Sequence, residues 1–564
     1  MKRLFLFLFS LFTLHLALFT FPGSTHAIVD PFSVPNNKFG IHIISATPDE
    51  SSPAASMVNT NGDWGYITFL IESKDRNENK WQEFFNDLRR RHLIPIVRLA
   101  TKPLNEHWER PYEGEEQAWA DFLDKLNWPI KNRYIVVYNE PNHGNEWNLQ
   151  ADPASYAKVL DKTIDALKQK SEDFFVINAG FDASAPHQPP RYFDELLFLK
   201  EMEKAVPGIF NKLDGWVSHS YPNPAFIGSP NSSGRGTVRT YVWELQQLRN
   251  LGVIKNLPVF ITETGWKHAE GINYNPNFPT ADTVANYYKN AFENAWASQR
   301  VVAVTPFLLD YQDPLFDHFS FKSIGSSKFY APYHVLKDMP KIIGAPVQEN
   351  LAKLTKGEIY SSVVAGQNYT IYLTFENIGQ SIWDGQVKLK VIEGGKELGI
   401  EEAPVDRPVE PDQEYTFQIN LKAPQKGQFK VSLQLFSDDK QFDSKEVEFT
   451  TEVKEPVILK VLTKLKWKDS AAGEYILKTT GAIGQSSQKV IISSVGQSAQ
   501  IEARYLLPDY TFNFTLEKEN YKPKIIQQSL KSGENILDFG ALQPDLLSNL
   551  FNLKELWKLL PFSN

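Results

Sequence analysis

The chain contains no cysteine in 564 residues, so it can have neither a disulfide nor a lipid-bearing cysteine, and burial alone must hold it together. It also lacks a basic excess. Its 59 Lys and Arg stand against 67 Asp and Glu, a net charge of −8, which removes the electrostatic footprint of a nucleic-acid binder and suits a soluble protein with neutral partners. No DNA or RNA partner is expected. No glycine-rich phosphate loop follows the first strand-like run, which counts against a doubly wound nucleotide-binding sheet. No histidine or carboxylate cluster has metal-ligand spacing along the chain, so no metal is expected.

An apolar run from Leu4 to Phe21, 18 residues long, follows Lys2 and Arg3 and precedes Pro22-Gly23-Ser24-Thr25-His26-Ala27. This three-part pattern over residues 1–27 reads as a signal peptide, hence export to the extracellular space or cell surface. The run sits at the lower limit for spanning a bilayer, so retention as a membrane anchor is the alternative.

What the chain has is apolar mass, 42% with 13% aromatic, enough for several cores. Residues 28–341 alternate β-branched runs with helical patterns. Strands are expected at Phe39 to Ile44, Gly65 to Ile71, Ile94 to Leu99, Tyr134 to Tyr138, Phe175 to Ala179, Gly215 to Ser220, Val259 to Thr262 and Val301 to Leu308. Helices are expected at Lys80 to Arg91, Glu116 to Leu126, Pro153 to Lys170, Phe193 to Ala205, Val238 to Leu251 and Ala281 to Ser298. Eight β/α units of this kind make a (β/α)8 TIM barrel. After a linker around 342–350, helical periodicity disappears. Residues 351–454 and 456–543 read as two all-β sandwich modules, and 545–560, with Leu546, Leu550, Leu553, Trp557 and Leu560, as a short amphipathic helix packed on the last module.

Two of the barrel's apolar runs end in a carboxylate beside turn residues: Val136-Val137-Tyr138-Asn139-Glu140-Pro141-Asn142 and Val259-Phe260-Ile261-Thr262-Glu263-Thr264-Gly265-Trp266. A barrel strand delivers a side chain to the mouth of a site in this way. Two facing carboxyl groups are the minimal equipment for glycoside hydrolysis, one to protonate the leaving oxygen and one to attack the sugar carbon or activate water. His219 and Tyr221 end the sixth strand two residues apart and so share a face, and Arg98 ends the third, where it could fix a carboxylate by a charge-assisted bond. Sugar faces are matched by flat aromatic surfaces, which makes Trp266 and Trp147 candidate subsite platforms and Trp64 a weaker third. His42 on the first strand reads as structural.

On these residues the barrel resembles the clan A (4/7 superfamily) glycoside hydrolases, cellulase-like enzymes with catalytic glutamates on strands four and seven. Asn139-Glu140 matches the Asn-Glu pair of that clan. The resemblance implies Glu140 as general acid/base, Glu263 as nucleophile and retention of anomeric configuration. It also implies Asn139 on the sugar 2-hydroxyl, Tyr221 beside the nucleophile and His219 as a substrate contact, with no cofactor. Glu140 is then expected to hold its proton at rest and to act as base once Glu263 carries the sugar. Two departures stand out. The family counterpart of Arg98 usually comes one strand earlier, and the tryptophan that many members place after strand eight is replaced by Val304-Thr305-Pro306-Phe307-Leu308. Phe375-Glu376-Asn377-Ile378-Gly379 with Trp383 resembles immunoglobulin-like modules of secreted enzymes. Leu507-Pro508-Asp509-Tyr510-Thr511-Phe512, with Tyr521-Lys522-Pro523, is similar to carboxypeptidase-regulatory-like modules.

The expectation is a secreted retaining β-glycosidase acting on a β-linked oligo- or polysaccharide, its C-terminal modules serving as spacers or as contacts to glycan or the cell surface. A transglycosylase with the same residues differs only in acceptor. A surface glycan-binding or adhesion protein using the barrel as scaffold is the rival from another class.

Overall fold

The computed structural model describes residues 28–481 and 484–546. The expected signal segment 1–27 lies outside them, as does the expected helix 545–560 apart from its first two residues. The chain divides into two compact units, one ending at Glu349 and one beginning at Asn350.

In the first unit, among the described residues, eight parallel strands alternate with helices: β1 (Gly40–His42), α1 (Pro48–Asn59), β2 (Gly65–Glu72), α2 (Glu78–Arg90), β3 (Leu93–Ala100), α3 (Glu115–Asp124), β4 (Arg133–Val136), α4 (Pro153–Lys170), β5 (Phe174–Ile177), α5 (Glu195–Ala205), β6 (Trp216–His219), α6 (Thr240–Asn250), β7 (Val259–Glu263), α7 (Ala281–Asn290), β8 (Val301–Val304) and α8 (Ala331–Asp338). Strands β1 to β5 pair in order, as do β6 to β8. Parallel bridges Ile177↔Gly215 and Phe39↔Val304 join the two sets and close the ring. The eight expected strands are therefore all present in one barrel.

The side-chain period of two explains both the barrel and its sequence. Tyr66, Ile94, Ile96, Tyr134, Val136, Phe175, Ile177, Val217 and Phe260 fill the interior, while their neighbours Ile67, Val97, Ile135, Val176, Trp216 and Ile261 pack outward with the helices. Both faces are buried, so the strands read as continuous apolar runs. Each such side chain contributes about 1.5–3 kcal/mol on burial.

Two segments depart from the sequence reading. Helix α1, Pro-Asp-Glu-Ser-Ser-Pro-Ala-Ala-Ser-Met-Val-Asn, is absent from the expected helices and carries Pro48 at its first turn and Pro53 inside. Burial of Ala54, Met57 and Val58 holds it as helix, tertiary packing overriding propensity. The stretch taken as a linker is packed on the barrel: Lys131 N–H donates to Val347 O at 2.9 Å, Gln348 Nε2 to Pro129 O at 2.7 Å, and Lys131 Nζ meets Glu349 Oε1 at 2.8 Å.

The second unit is all β among the described residues, with two cores. A three-stranded and a six-stranded sheet share one, with Ile371, Leu373 and Phe417 from the first sheet against Leu389, Val431 and Leu433 from the second. A three-stranded and a four-stranded sheet share the other, with Val457, Leu459 and Leu537 against Leu477, Phe514 and Leu516.

Candidate active site

The C-terminal ends of β3, β4, β6 and β7 bring Arg98, Asn139, Glu140, His219, Tyr221 and Glu263 together. Arg98 and His219 follow from strand alternation, lying two-residue steps beyond the inward Ile94, Ile96 and Val217. Glu263 does not. Counting from inward Phe260, strict alternation would turn position 263 outward. Between the pairs Val217↔Phe260 and His219↔Glu263 the register shifts by one residue, and this bulge re-aims Glu263 into the barrel mouth. Glu140 is reached differently. After β4 ends, Tyr138 (φ 71°) and Glu140 (φ 27°) both take left-handed backbone conformations, at a cost of roughly 1–3 kcal/mol each. Glu140 N–H is then tied to Gly180 O at 3.1 Å. Gly180 must be glycine, because a Cβ there would sit 2.0 Å from the His219 ring.

One oxygen each of Glu140 and Glu263, with a nitrogen of His219, lie within 4.8 Å of one another. Arg98 Nη1 donates to Glu263 Oε1 at 2.7 Å and to Asn139 Oδ1 at 2.8 Å. Tyr221 Oη donates to Glu263 Oε2 at 3.1 Å. His219 Nδ1 stands 2.9 Å from Glu140 Oε1 and 3.8 Å from Glu263 Oε2. Burial alone would raise the Glu263 carboxyl, but the charges of His219 and Arg98 and the bond from the Tyr221 hydroxyl hold it below the ordinary range. Burial would lower His219, yet Glu263 and the bond to Glu140 raise it. Tyr221 is pushed well above its usual value by burial and by both glutamates, which keeps it a donor. His42, expected to be structural, also borders the site. Burial lowers it to about 3, so it is a neutral imidazole 3.8 Å from Glu263 Oε1.

Glu140, His219 and Glu263 also form a potential metal-ligating trio, which spacing along the chain conceals. Arg98 and His219 already supply positive charge to these carboxylates, at 2.7 and 2.9 Å, where a metal ion's charge would otherwise stand.

The tryptophans need correction. Trp147 and Trp266 are 0% and 1% exposed, with their indole N–H groups on Ser155 Oγ at 3.2 Å and Gly228 O at 2.7 Å. They are core residues, packed among Tyr138 and Tyr156 and among Tyr288 and Trp296 respectively, and neither can offer a face to a sugar. Trp64 precedes β2, at the opposite end of the barrel, stacked on His92 at 4.6 Å. A half-buried aromatic beside the site is Trp108, which with Arg98, Tyr138, Asn139 and Glu146 lines a small cavity of about 10 Å³, room for one water. Its signal was an aromatic residue within the polar stretch Asn105-Glu106-His107-Trp108-Glu109-Arg110. Glu146 was missed too. Burial raises it to about 7, against Arg98 and with Glu140, while it hydrogen-bonds Asn139. In the place after strand eight, Phe307 stands edge-on to His42 at 5.2 Å.

No family model matches this chain, and no curated protein does. Among solved structures it is similar to a family 39 glycoside hydrolase from Bacteroides cellulosilyticus, at 13% identity and TM-score 0.37 over 70% of this chain and 82% of that one. It is also similar to a family 30 subfamily 8 xylanase from Clostridium acetobutylicum, at 10% identity and TM-score 0.33 over 84% and 96%. A β-glucanase from Saccharophagus degradans aligns at 13% identity and TM-score 0.33 over 55% and 95%. At such identities and TM-scores these likenesses settle nothing about the chemistry of this chain, which rests on the groups in the barrel mouth.

Proposed function

We propose that the chain is a retaining β-glycosidase that hydrolyses O-glycosidic bonds in a β-linked oligo- or polysaccharide through Glu140 and Glu263. The observation that carries this reading is the asymmetry of the glutamate pair: two carboxylates within 4.8 Å, of which Glu263 is held ionised by a guanidinium and a phenol while Glu140 stands against an imidazole nitrogen at 2.9 Å. Retaining enzymes place their carboxyl groups about 5–5.5 Å apart, too close for an intervening water and right for direct attack.

In the first step Glu263 attacks the anomeric carbon and the bond to the leaving oxygen breaks. That oxygen takes the proton held between Glu140 and His219, whose own proton affinity is raised. In the second step water attacks the same carbon, Glu263 leaves as carboxylate, and Glu140 takes the water's proton. The Asn139 amide has two N–H bonds. One faces Glu146, and the other is available for the sugar 2-hydroxyl, a contact that strengthens in the transition state. Trp108 replaces Trp147 and Trp266 as the aromatic platform. Export follows from the N-terminal segment, and the β modules act as spacers or glycan contacts.

Residues 28–564 incubated with β-glucans, mannan, xylan and galactan, beside Glu263→Gln, test this by mass spectrometry of the products. Cleavage of one glycan by the wild type alone is the expected result. Retention on a glycan without cleavage would replace hydrolysis by binding, and an inverted product would sink the double displacement.

A further inference from the structure

Glu140 meets an imidazole at each of its carboxyl oxygens. His219 Nδ1 is at Oε1, 2.9 Å away, and His143 Nδ1 is 4.0 Å from Oε2. His143 lies only three residues beyond Glu140, and its N–H donates to Glu140 O at 2.8 Å. This turn folds the imidazole back over the carboxyl group. Its other nitrogen, Nε2, is 2.8 Å from Asp182 Oδ2, and its ring stands edge-on to Tyr192 at 5.0 Å.

Asp182 is itself fixed. Its second oxygen accepts Ser184 N–H at 2.8 Å, its N–H donates to Asn142 Oδ1 at 3.2 Å, and its carbonyl accepts from Asn142 Nδ2 at 3.0 Å. The strands after which these two loops follow, β4 and β5, are neighbours in the barrel, so Asp182, His143 and Glu140 form one chain of contacts across the mouth.

Resting on the two-glutamate reading, we propose that His143 and Asp182 are a positioning pair for Glu140, holding its carboxylate in the orientation that takes the proton of the attacking water in the second step. The bookkeeping of that step is closed: the water oxygen bonds to the anomeric carbon, the bond from that carbon to Glu263 breaks with its electron pair returning to Glu263, and the proton goes to Glu140. Burial would lower His143, but the bond to Asp182 and the charges of Glu140, Asp182 and Glu146 raise it to about 9, so it is a cation at neutral pH. The groups facing it are Asp182 on the loop after β5, Glu140 and Glu146 on the loop after β4, the phenol ring of Tyr192, and His219 across the carboxylate.

The test uses His143→Gln and Asp182→Asn in residues 28–564 with an aryl β-glycoside whose leaving group needs no acid. Loss of the pair should lower kcat about tenfold and KM in proportion, with kcat/KM within about twofold, because glycosyl-enzyme accumulates. Azide, which needs no base, should restore kcat. Asp182→Asn keeps the shape but removes the charge and one of the two acceptor oxygens that serve His143 and Ser184, and should change kcat in the same direction while the chain still unfolds cooperatively. Parallel loss of kcat and kcat/KM without azide rescue, or no change in either, would overturn the proposal. Glu140→Ala run beside them separates the two failures: if it keeps wild-type rates the two-glutamate reading falls, and if it alone is azide-rescued only the role of the pair falls.

Discussion

Replacing Arg98 by Met removes the cation closest to the proposed nucleophile and leaves an apolar stem of similar length. Arg98 Nη1 lies 2.7 Å from Glu263 Oε1, and the two side chains are 13% and 10% exposed. Unit charges about 4 Å apart interact by roughly 1 kcal/mol in water and roughly 4 kcal/mol at an effective dielectric of about 20. Burial to nine-tenths selects the upper end. His219, 3.8 Å from a Glu263 oxygen, and the Tyr221 hydroxyl remain and recover part of the loss. A net penalty of about 2–4 kcal/mol on the ionised form follows, about 30- to 1,000-fold in proton affinity.

A nucleophile must be ionised, so the acid limb of kcat/KM against pH reports its titration in the free enzyme. Removing a cation favours the protonated form, and the limb must therefore move to higher pH, by about two units. The assay is kcat/KM on an activated aryl β-glycoside across the acid range, with Arg98→Lys as a control that keeps the charge but not the second bond to Asn139. An acid limb that stays in place in Arg98→Met while activity falls would refute the reasoning, since the guanidinium would then be doing something other than holding Glu263 ionised.

Trp147→Ala should destabilise by about 3–5 kcal/mol, a large buried aromatic lost to a cavity, while KM for a soluble glycan stays within about twofold. Trp108→Ala should do the reverse, raising KM with little change in thermal unfolding, and the pair of measurements distinguishes core from platform. Glu195 and Glu244 are both 0% exposed and face one another behind β6, where Trp216 Nε1 donates to Glu244 Oε2 at 3.1 Å. Burial raises both, and Glu244 raises Glu195 further. The folded chain thus binds more protons here than the unfolded chain above the ordinary carboxyl value of 4.5, so this contribution is intact below that pH and is lost as pH rises. Glu195→Gln should accordingly flatten the fall in melting temperature between acid and alkaline buffer; an unchanged slope would show that the pair does not titrate on unfolding. Prolonged treatment with a chelator should leave glycan cleavage unchanged if Arg98 and His219 hold the charge of the Glu140, His219 and Glu263 trio, and loss restored by a divalent cation would show a metal there instead.

Much of this protein is written locally. The eight strands were legible because each is a β-branched run buried on both faces, and the two glutamates because each ends such a run beside turn residues. The same local view failed wherever a neighbour decided. The segment with Pro48 and Pro53 is not among the expected helices, and packing of Ala54, Met57 and Val58 makes it α1. Trp147 and Trp266 read as platforms because they follow the glutamates closely, yet the chain has already turned back toward the helices and buries them. His143, Asp182 and Glu146 carry no pattern of their own and acquire meaning only through what the barrel sets beside them.

The amino-acid sequence by itself determined which residues end the strands and that two carboxylates stand on the fourth and seventh of them, because apolar period and turn chemistry are properties of short segments. Where those carboxylates point was decided by the tertiary structure. Strict alternation would send Glu263 away from the barrel interior, and the one-residue register shift between β6 and β7 turns it inward. A bulge exists only between two paired strands, so no single segment could have announced it.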